Sequence, residues 1–314
     1  MKKTTKGEPK MNWSQYNTNL TQRGNINLWI SEDAASWWFS TKENKHGRPF
    51  VYSDRAIEVC LTLQYVFGLP LRAAQGFVNS IFQRSCISLH APCYSQVSRR
   101  MSKIQLSEIR IPKGAQVNLA FDSTGLKVYG EGEWKVRTHG ASKRRIWRKL
   151  HIGVDVETLK ITHSMLTNHS KTDANAAGQM LADEYPEAIK SILGDGAYDK
   201  EVVYRCARKI NAKTIIPPAH NARIQRAAIN PAKVDRDHII ARIKLLGGND
   251  EGRKQWKKES GYHQRSLAET TMYRFKNTFT HRLRHRLFPN QAVEATIKVN
   301  ILNTFTSMGI PRAS

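Results

Sequence analysis

From Ala56 the apolar positions recur three and four apart, at Ala56, Val59, Cys60, Leu63 and Phe67. That spacing lays them on one stripe of a helix. Ser53 followed by Asp54 supplies a start signal, and Gly68 with Pro70 a stop. Further helices are predicted over residues 71–82 and 94–101. Past Pro112-Lys113-Gly114 the period changes. Short apolar runs predict strands over 117–121, 126–129, 150–156, 160–166, 189–193 and 213–216, with Gly125 turning the chain between the first two. Helical spacing returns over 173–185 and 201–210, and a long helix is predicted over 262–286 and another over 291–308. Residues 219–260 are polar and basic without a clear period. Strands first, then strands alternating with helices, define a mixed α/β sheet flanked by helices. The organisation read is a flexible, basic lead-in at 1–52 with a Trp-rich apolar anchor at 28–39, an all-α domain at 53–110, and an α/β domain at 111–314.

Charge changes the picture from architecture to partner. The 314 residues hold 50 Lys and Arg against 26 Asp and Glu, a net charge of +24. The first 110 residues carry 15 bases and 7 acids, and the remaining 204 carry 35 and 19, so the excess belongs to the whole chain. Such a field attracts a polyanion and gains by releasing its counterions. Two helices, a short polar link and a third helix rich in Ser, Gln and Arg suit a helix-turn-helix reader. In it Gln96 would reach base edges, and Arg99 and Arg100 phosphates. Residues 135–151 carry seven Lys and Arg, among them Arg144, Arg145, Arg148 and Lys149, with Trp147 interleaved. They suit a clamp on a DNA backbone. His281, Arg282, Arg284, His285 and Arg286 form a second basic cluster. Cys60, Cys86, Cys93 and Cys206 show no Cys-x-x-Cys spacing, which argues against a zinc knuckle or disulfide framework. No run approaches the ~18 apolar residues of a membrane span, so a soluble, intracellular protein is expected.

Three carboxylates carry the candidate chemistry. Asp122 follows Asn-Leu-Ala-Phe, and Asp195 follows Ser-Ile-Leu-Gly. Each stands where an apolar strand leaves the core, the place where sites in open α/β sheets gather. On the helix predicted from residue 262, Tyr262, Arg265, Glu269 and Lys276 point within about 60° of one another at 100° per residue. Leu267, Ala268 and Phe275 fall off that face. A solvated charged face with an Arg265–Glu269 pair is the plain alternative. Three carboxylates from separate elements are also the donor set of a two-metal phosphoryl-transfer site, for which Mg²⁺ or Mn²⁺ suits hard oxygen ligands.

Tyr262-His-Gln-Arg265-Ser-Leu-Ala-Glu269-Thr-Thr-Met-Tyr-Arg-Phe-Lys276 resembles the Tyr-Arg-Glu-Lys signature of bacterial DDE insertion-sequence transposases, including those of small single-reading-frame elements. Phe-Asp122-Ser-Thr-Gly-Leu-Lys, Leu-His-Ile-Gly-Val-Asp155 and Gly-Asp195-Gly-Ala-Tyr-Asp199 resemble the same family. The likeness spans about residues 50–310. It implies a ribonuclease-H-like catalytic fold and double-stranded DNA partners, namely terminal inverted repeats and target. It also implies Mg²⁺ as cofactor, a homodimer in the synaptic complex, and a bacterial cytoplasmic, nucleoid-associated location. Asp122, Asp195 and Glu269 would be the metal-binding catalytic acids, and Tyr262, Arg265 and Lys276 contacts to DNA phosphates near the cut. Two other functions fit the residues: a DNA-binding regulator that no longer cuts, and a nuclease that cuts without joining.

Overall fold

The computed structural model describes residues 13–41, 49–107, 109, 111–112, 114–128, 147–224, 232 and 234–309. The chain divides into two compact units, one of residues 108–299 and one of residues 1–107 with 300–314.

The described part of the smaller unit is built from helices α1 (Trp13–Gln22), α2 (Ala34–Trp37), α3 (Asp54–Val66), α4 (Leu71–Arg84) and α5 (Tyr94–Arg100). Part of the lead-in read as flexible is therefore helix; residues 1–12 lie outside the described residues. The Ser53 hydroxyl accepts from Ala56 N–H and starts α3 as its sequence predicts. Trp38 is fully buried, edge-on to Phe82 at 4.9 Å, and its indole N–H donates to His90 O at 2.9 Å. Side chains of α4 tie down the link to α5: Asn79 accepts from Ala91 N–H and Gln75 from Tyr94 N–H.

The larger unit is a mixed sheet of β1 (Val117–Val128), β2 (Trp147–Asp155), β3 (Ile161–Asn168), β4 (Ile189–Leu193) and β5 (Lys213–Ile215), in the order β3-β2-β1-β4-β5. β1 to β3 run antiparallel, while β4 and β5 join parallel to β1. A short strand, β6 (Arg282–Leu283), pairs with the far end of β1. Helices α6 (Asp173–Met180) and α7 (Glu201–Lys209) cover β1 and β4 over one core that includes Leu119, Phe121, Ala177, Ile189, Ile192, Val203 and Ile216. Those β-branched and aliphatic runs are what a strand buried on both faces requires.

Four expectations change. β1 does not turn at Gly125 but runs on to Val128, paired throughout with β2. A Cβ at Gly125 would stand 3.2 Å from the Trp147 ring, so the glycine gives room to a cross-strand aromatic. Residues 219–260 contain two helices, α8 (Val234–Leu245) and α9 (Asp250–Glu259). They approach so closely that a Cβ at Gly252 would meet Ile243 O at 2.7 Å. The long helix at 262–286 is a 3-10 turn (Tyr262–Arg265), then α10 (Ser266–Phe279), then β6. Thr280 at φ 65° ends α10, and Lys127 N–H donates to His281 O to bring the chain onto β1. The last helix, α11 (Phe288–Ser307), begins three residues before its predicted start.

Candidate active site

The parallel pairing of β1 with β4 ends at Ala120 opposite Leu193. Two residues further along each chain stand Asp122 and Asp195. The register thus brings both acids to the same end of the β1–β4 pair, Asp122 on β1 and Asp195 just past the end of β4. β4 stops there and β1 continues, so Asp195 sits at a strand end and Asp122 within its strand. The Asp195 carboxylate accepts from Ala197 N–H at 2.8 Å and caps a 3-10 turn, Gly196–Tyr198. The Asp122 carboxylate accepts from Ser123 N–H at 2.8 Å. Glu269 comes from the first turn of α10, which packs on β1 and β2. An acid in that turn faces the positive end of the helix.

Burial pushes the Asp122 carboxyl up. The Ser123 N–H and Arg265 oppose this, and the negative charges of Glu269 and Asp195 add to it. Asp122 therefore feels both of the other acids. Glu269 is turned to Arg265, with which it forms an ion pair. Among the described residues no three carboxylate, imidazole or thiol groups are gathered closely enough to hold an ion as they stand. Beside the acids lies the Tyr198 hydroxyl, buried and without a hydrogen-bond partner. Burial raises its pKa first, then the charges of Asp173, Asp122 and Asp195. Its ring presses on Gly194, where a Cβ would stand 2.8 Å away. Hard oxygen donors from three elements and an orphaned hydroxyl beside them are a chemistry that suits a hydrated divalent cation.

Tyr262 lies on the wall of this site. Burial pushes its phenol up, Arg265 opposes, and the charges of Asp195 and Glu269 push further up. The phenol stays protonated and keeps its donor. Lys276 is exposed on α10, two turns or about 10 Å from Glu269 at 1.5 Å per residue. Of the basic clamp, Arg144 and Arg145 lie outside the described residues. Arg148 donates to Gln291 Oε1 at 2.8 Å and Asn168 Oδ1 at 2.6 Å, and stacks on Phe288. Lys149 pairs with Asp173 at 2.8 Å. Both are engaged within the unit. In α5 the Gln96 side chain accepts from Cys93 N–H and completes a capping box. Arg100 pairs with Asp54 at 2.5 Å and donates to Tyr52 O. These two side chains serve their own fold, whereas Arg99 is exposed beside Lys103.

Sequence reasoning missed Asp173. It is the first residue of α6, one after the Thr172 cap, and touches both Lys149 and the buried His151, whose Nδ1 lies 3.2 Å from Oδ1. Burial alone would raise its carboxyl, but the contacts from His151, Lys149 and Ser123 together hold it well below the usual range. The Thr172-Asp173 pair was its only local signal. The Asp199 side chain is buried and bound bidentately by Arg236 at 2.7 and 3.2 Å.

The chain matches the family described as Transposase DDE domain over residues 113–303, and a second pattern of the same description over residues 21–131. The chain belongs to the DDE transposase family, whose work is DNA recombination by transposition. Its mixed sheet flanked by helices fits a ribonuclease-H-like DDE domain. Among solved structures, the piggyBac transposase synaptic complex with hairpin DNA is similar at TM-score 0.40 and 12% identity, over 92% of this chain and 74% of that one. The Drosophila P element transposase strand transfer complex is similar at TM-score 0.31 and 8% identity, over 95% of this chain and 85% of that one. Scores this low carry no weight in the assignment.

No helix among the described residues is long and apolar enough to cross a membrane.

Proposed function

We propose that the chain is an insertion-sequence transposase of the Tyr-Arg-Glu-Lys group. It binds the terminal inverted repeats of its element, nicks at their ends and joins the freed 3′-hydroxyl to target DNA. Asp122, Asp195 and Glu269 hold Mg²⁺, or Mn²⁺ in its place. When bound, two such ions supply charge stabilisation to the attacking and leaving oxygens. Glu269 joins the two aspartates by releasing Arg265. The freed guanidinium then holds phosphate oxygens in bidentate fashion near Asp122. Tyr262, kept protonated, donates to a phosphate oxygen beside the cut, and Lys276 supplies a point charge further along the strand. Lys149 and His151, steadied by Asp173, support the β2 side of the acids. Arg144 and Arg145 extend the backbone clamp. The helical unit serves as the DNA reader through a helix-turn-helix, with Arg99 as its phosphate contact. Two copies form the synaptic complex, and the protein works at the bacterial nucleoid.

The observation that supports this reading is the β1–β4 register, which brings the chain at Asp122 and at Asp195 to one end of the pair, together with the packing on β1 of the helix that bears Glu269. The test is nicking of a labelled duplex bearing the element's own terminal repeat, in Mg²⁺ and in EDTA. Mg²⁺-dependent nicks at the repeat boundary are expected from the native chain. Asp122→Ala should bind the same duplex and cut at least a hundredfold more slowly. Undiminished cutting by that variant would sink the assignment of the acids.

A further inference from the structure

Helix α9 supplies none of the three acids, yet it lines a cationic hollow that shares Tyr262 with their site. α9 buries Gly252 and Trp256. Lys254, Lys257 and Lys258 stand three and four residues apart on the opposite side, all exposed. Like charges at that spacing repel by about 0.2–0.5 kcal/mol each, although Lys257 and Lys258 in the last turn also face the negative end of the helix. With His220, His263 and Tyr262 they line a hollow of about 500 Å³. Its one acid, Asp250, is exposed and lies 3.9 Å from His220. Arg253 fixes the floor by donating to Pro218 O and Ala219 O at 2.8 and 2.9 Å. The Lys257 ammonium lies 5.2 Å from the centre of the Tyr262 ring, and Trp256 backs that ring at 6.2 Å. Tyr262 also opens the 3-10 turn that packs against β1 and β4, the strands that lead to Asp122 and Asp195, and against the helix of Glu269. One aromatic wall therefore separates the acids from the lysines.

We propose that this hollow is a second DNA-backbone site, in which Lys254, Lys257 and Lys258 hold phosphates of the scissile strand within a few nucleotides of the cut. The inference rests on the transposase reading above. A strand that runs from the acids over Tyr262 meets these lysines, since Lys257 lies over the Tyr262 ring. They neutralise phosphates without reading bases, since ammonium groups on flexible stems carry no base code. Their role is to hold the flank in place while the acids act.

The experiment uses the full chain and the terminal-repeat duplex in EDTA, so that binding is read apart from cutting. In Lys254→Ala/Lys257→Ala/Lys258→Ala the slope of log affinity against log salt should fall by about 2.7, at ~0.9 per phosphate released. The single variants Lys254→Gln and Lys258→Gln should each remove about a third of that. Uncharged methylphosphonate linkages at the three phosphates flanking the cut should weaken the native chain at least tenfold and the triple variant far less, through its remaining Tyr262, Arg265 and Lys276 contacts alone. Equal salt slopes for the native chain and the triple variant would overturn the hollow, as would equal weakening of both by the uncharged linkages. A native chain that binds the duplex and never nicks it in Mg²⁺ would overturn the catalytic reading instead, and the slope comparison keeps the two failures apart.

Discussion

Asp195 and Asp199 are four residues apart and meet opposite fates. Asp195 is half-buried, accepts one backbone hydrogen bond and looks onto two further acids. Asp199 is buried and fully spent: Arg236 grips both of its oxygens, the Tyr204 hydroxyl donates to one at 2.9 Å, and Ala219 N–H donates to the other at 3.0 Å. The same residue type in one turn thus makes a structural knot on one side and an open, mutually repelling group on the other. The difference lies in the partners. A buried charge is tolerable when its oxygens are all taken, and a carboxylate left short of partners among like charges is one that a cation can stabilise.

Removing one partner from the closed side should have the largest effect. Arg236→Ala takes the guanidinium from the buried Asp199, leaving it the Tyr204 and Ala219 donors, and should cost about 3–5 kcal/mol in urea unfolding. It should also loosen α8, seen as faster amide exchange over residues 234–245. A loss under about 1 kcal/mol would mean that water reaches Asp199 and the knot is not closed.

Asp173 lies between the extremes and should show an intermediate effect. Asp173→Asn weakens charge-assisted hydrogen bonds and should cost about 1.5–3 kcal/mol at pH 7. Its folded-state pKa is depressed, so the native chain holds this stability above the unfolded value near 3.9 and loses it as pH falls below that. The stability difference between native chain and variant should therefore shrink between about pH 5 and pH 2. A difference independent of pH would point to lost packing rather than lost charge.

The open side should respond with the smallest effect and the opposite sign. The Asp122 carboxyl is raised in the fold, so its ionisation opposes folding as pH rises above the unfolded value near 3.9. Asp122→Asn should raise Tm at pH 7 in EDTA by up to about 3 °C, what roughly 1 kcal/mol yields in a unit of this size. At pH 3 it should change nothing. A fall in Tm at pH 7 would show that Asp122 is a paired structural acid after all.

Much of this arrangement could be read before any fold was known. The runs at Val117 and Ile189 are β-branched and aliphatic, so their strands were plain, and each acid stood at the edge of its run. The register that makes the two acids neighbours was not plain, because sequence gives strands without their pairing. Gly125 read as a turn because a lone glycine in a strand is ambiguous; its reason is the ring of Trp147, 22 positions away. Helices α8 and α9 were hidden because their polar side chains are consumed by tertiary pairs such as Arg236–Asp199 and Arg242–Glu259. Such helices need no clean apolar stripe. Gln96 and Arg100 looked like surface groups for the converse reason: nothing local announces the capping box or the distant Asp54.

The order of the acids along the chain also sets a clock. Asp122 and Asp195 lie on neighbouring strands, yet Glu269 is made 147 residues after Asp122. At a synthesis rate of about 5–20 residues per second, a nascent chain carries the first acid for roughly 7–30 seconds before the third exists. During that interval β1 and β4 can pair, while the trio stays incomplete.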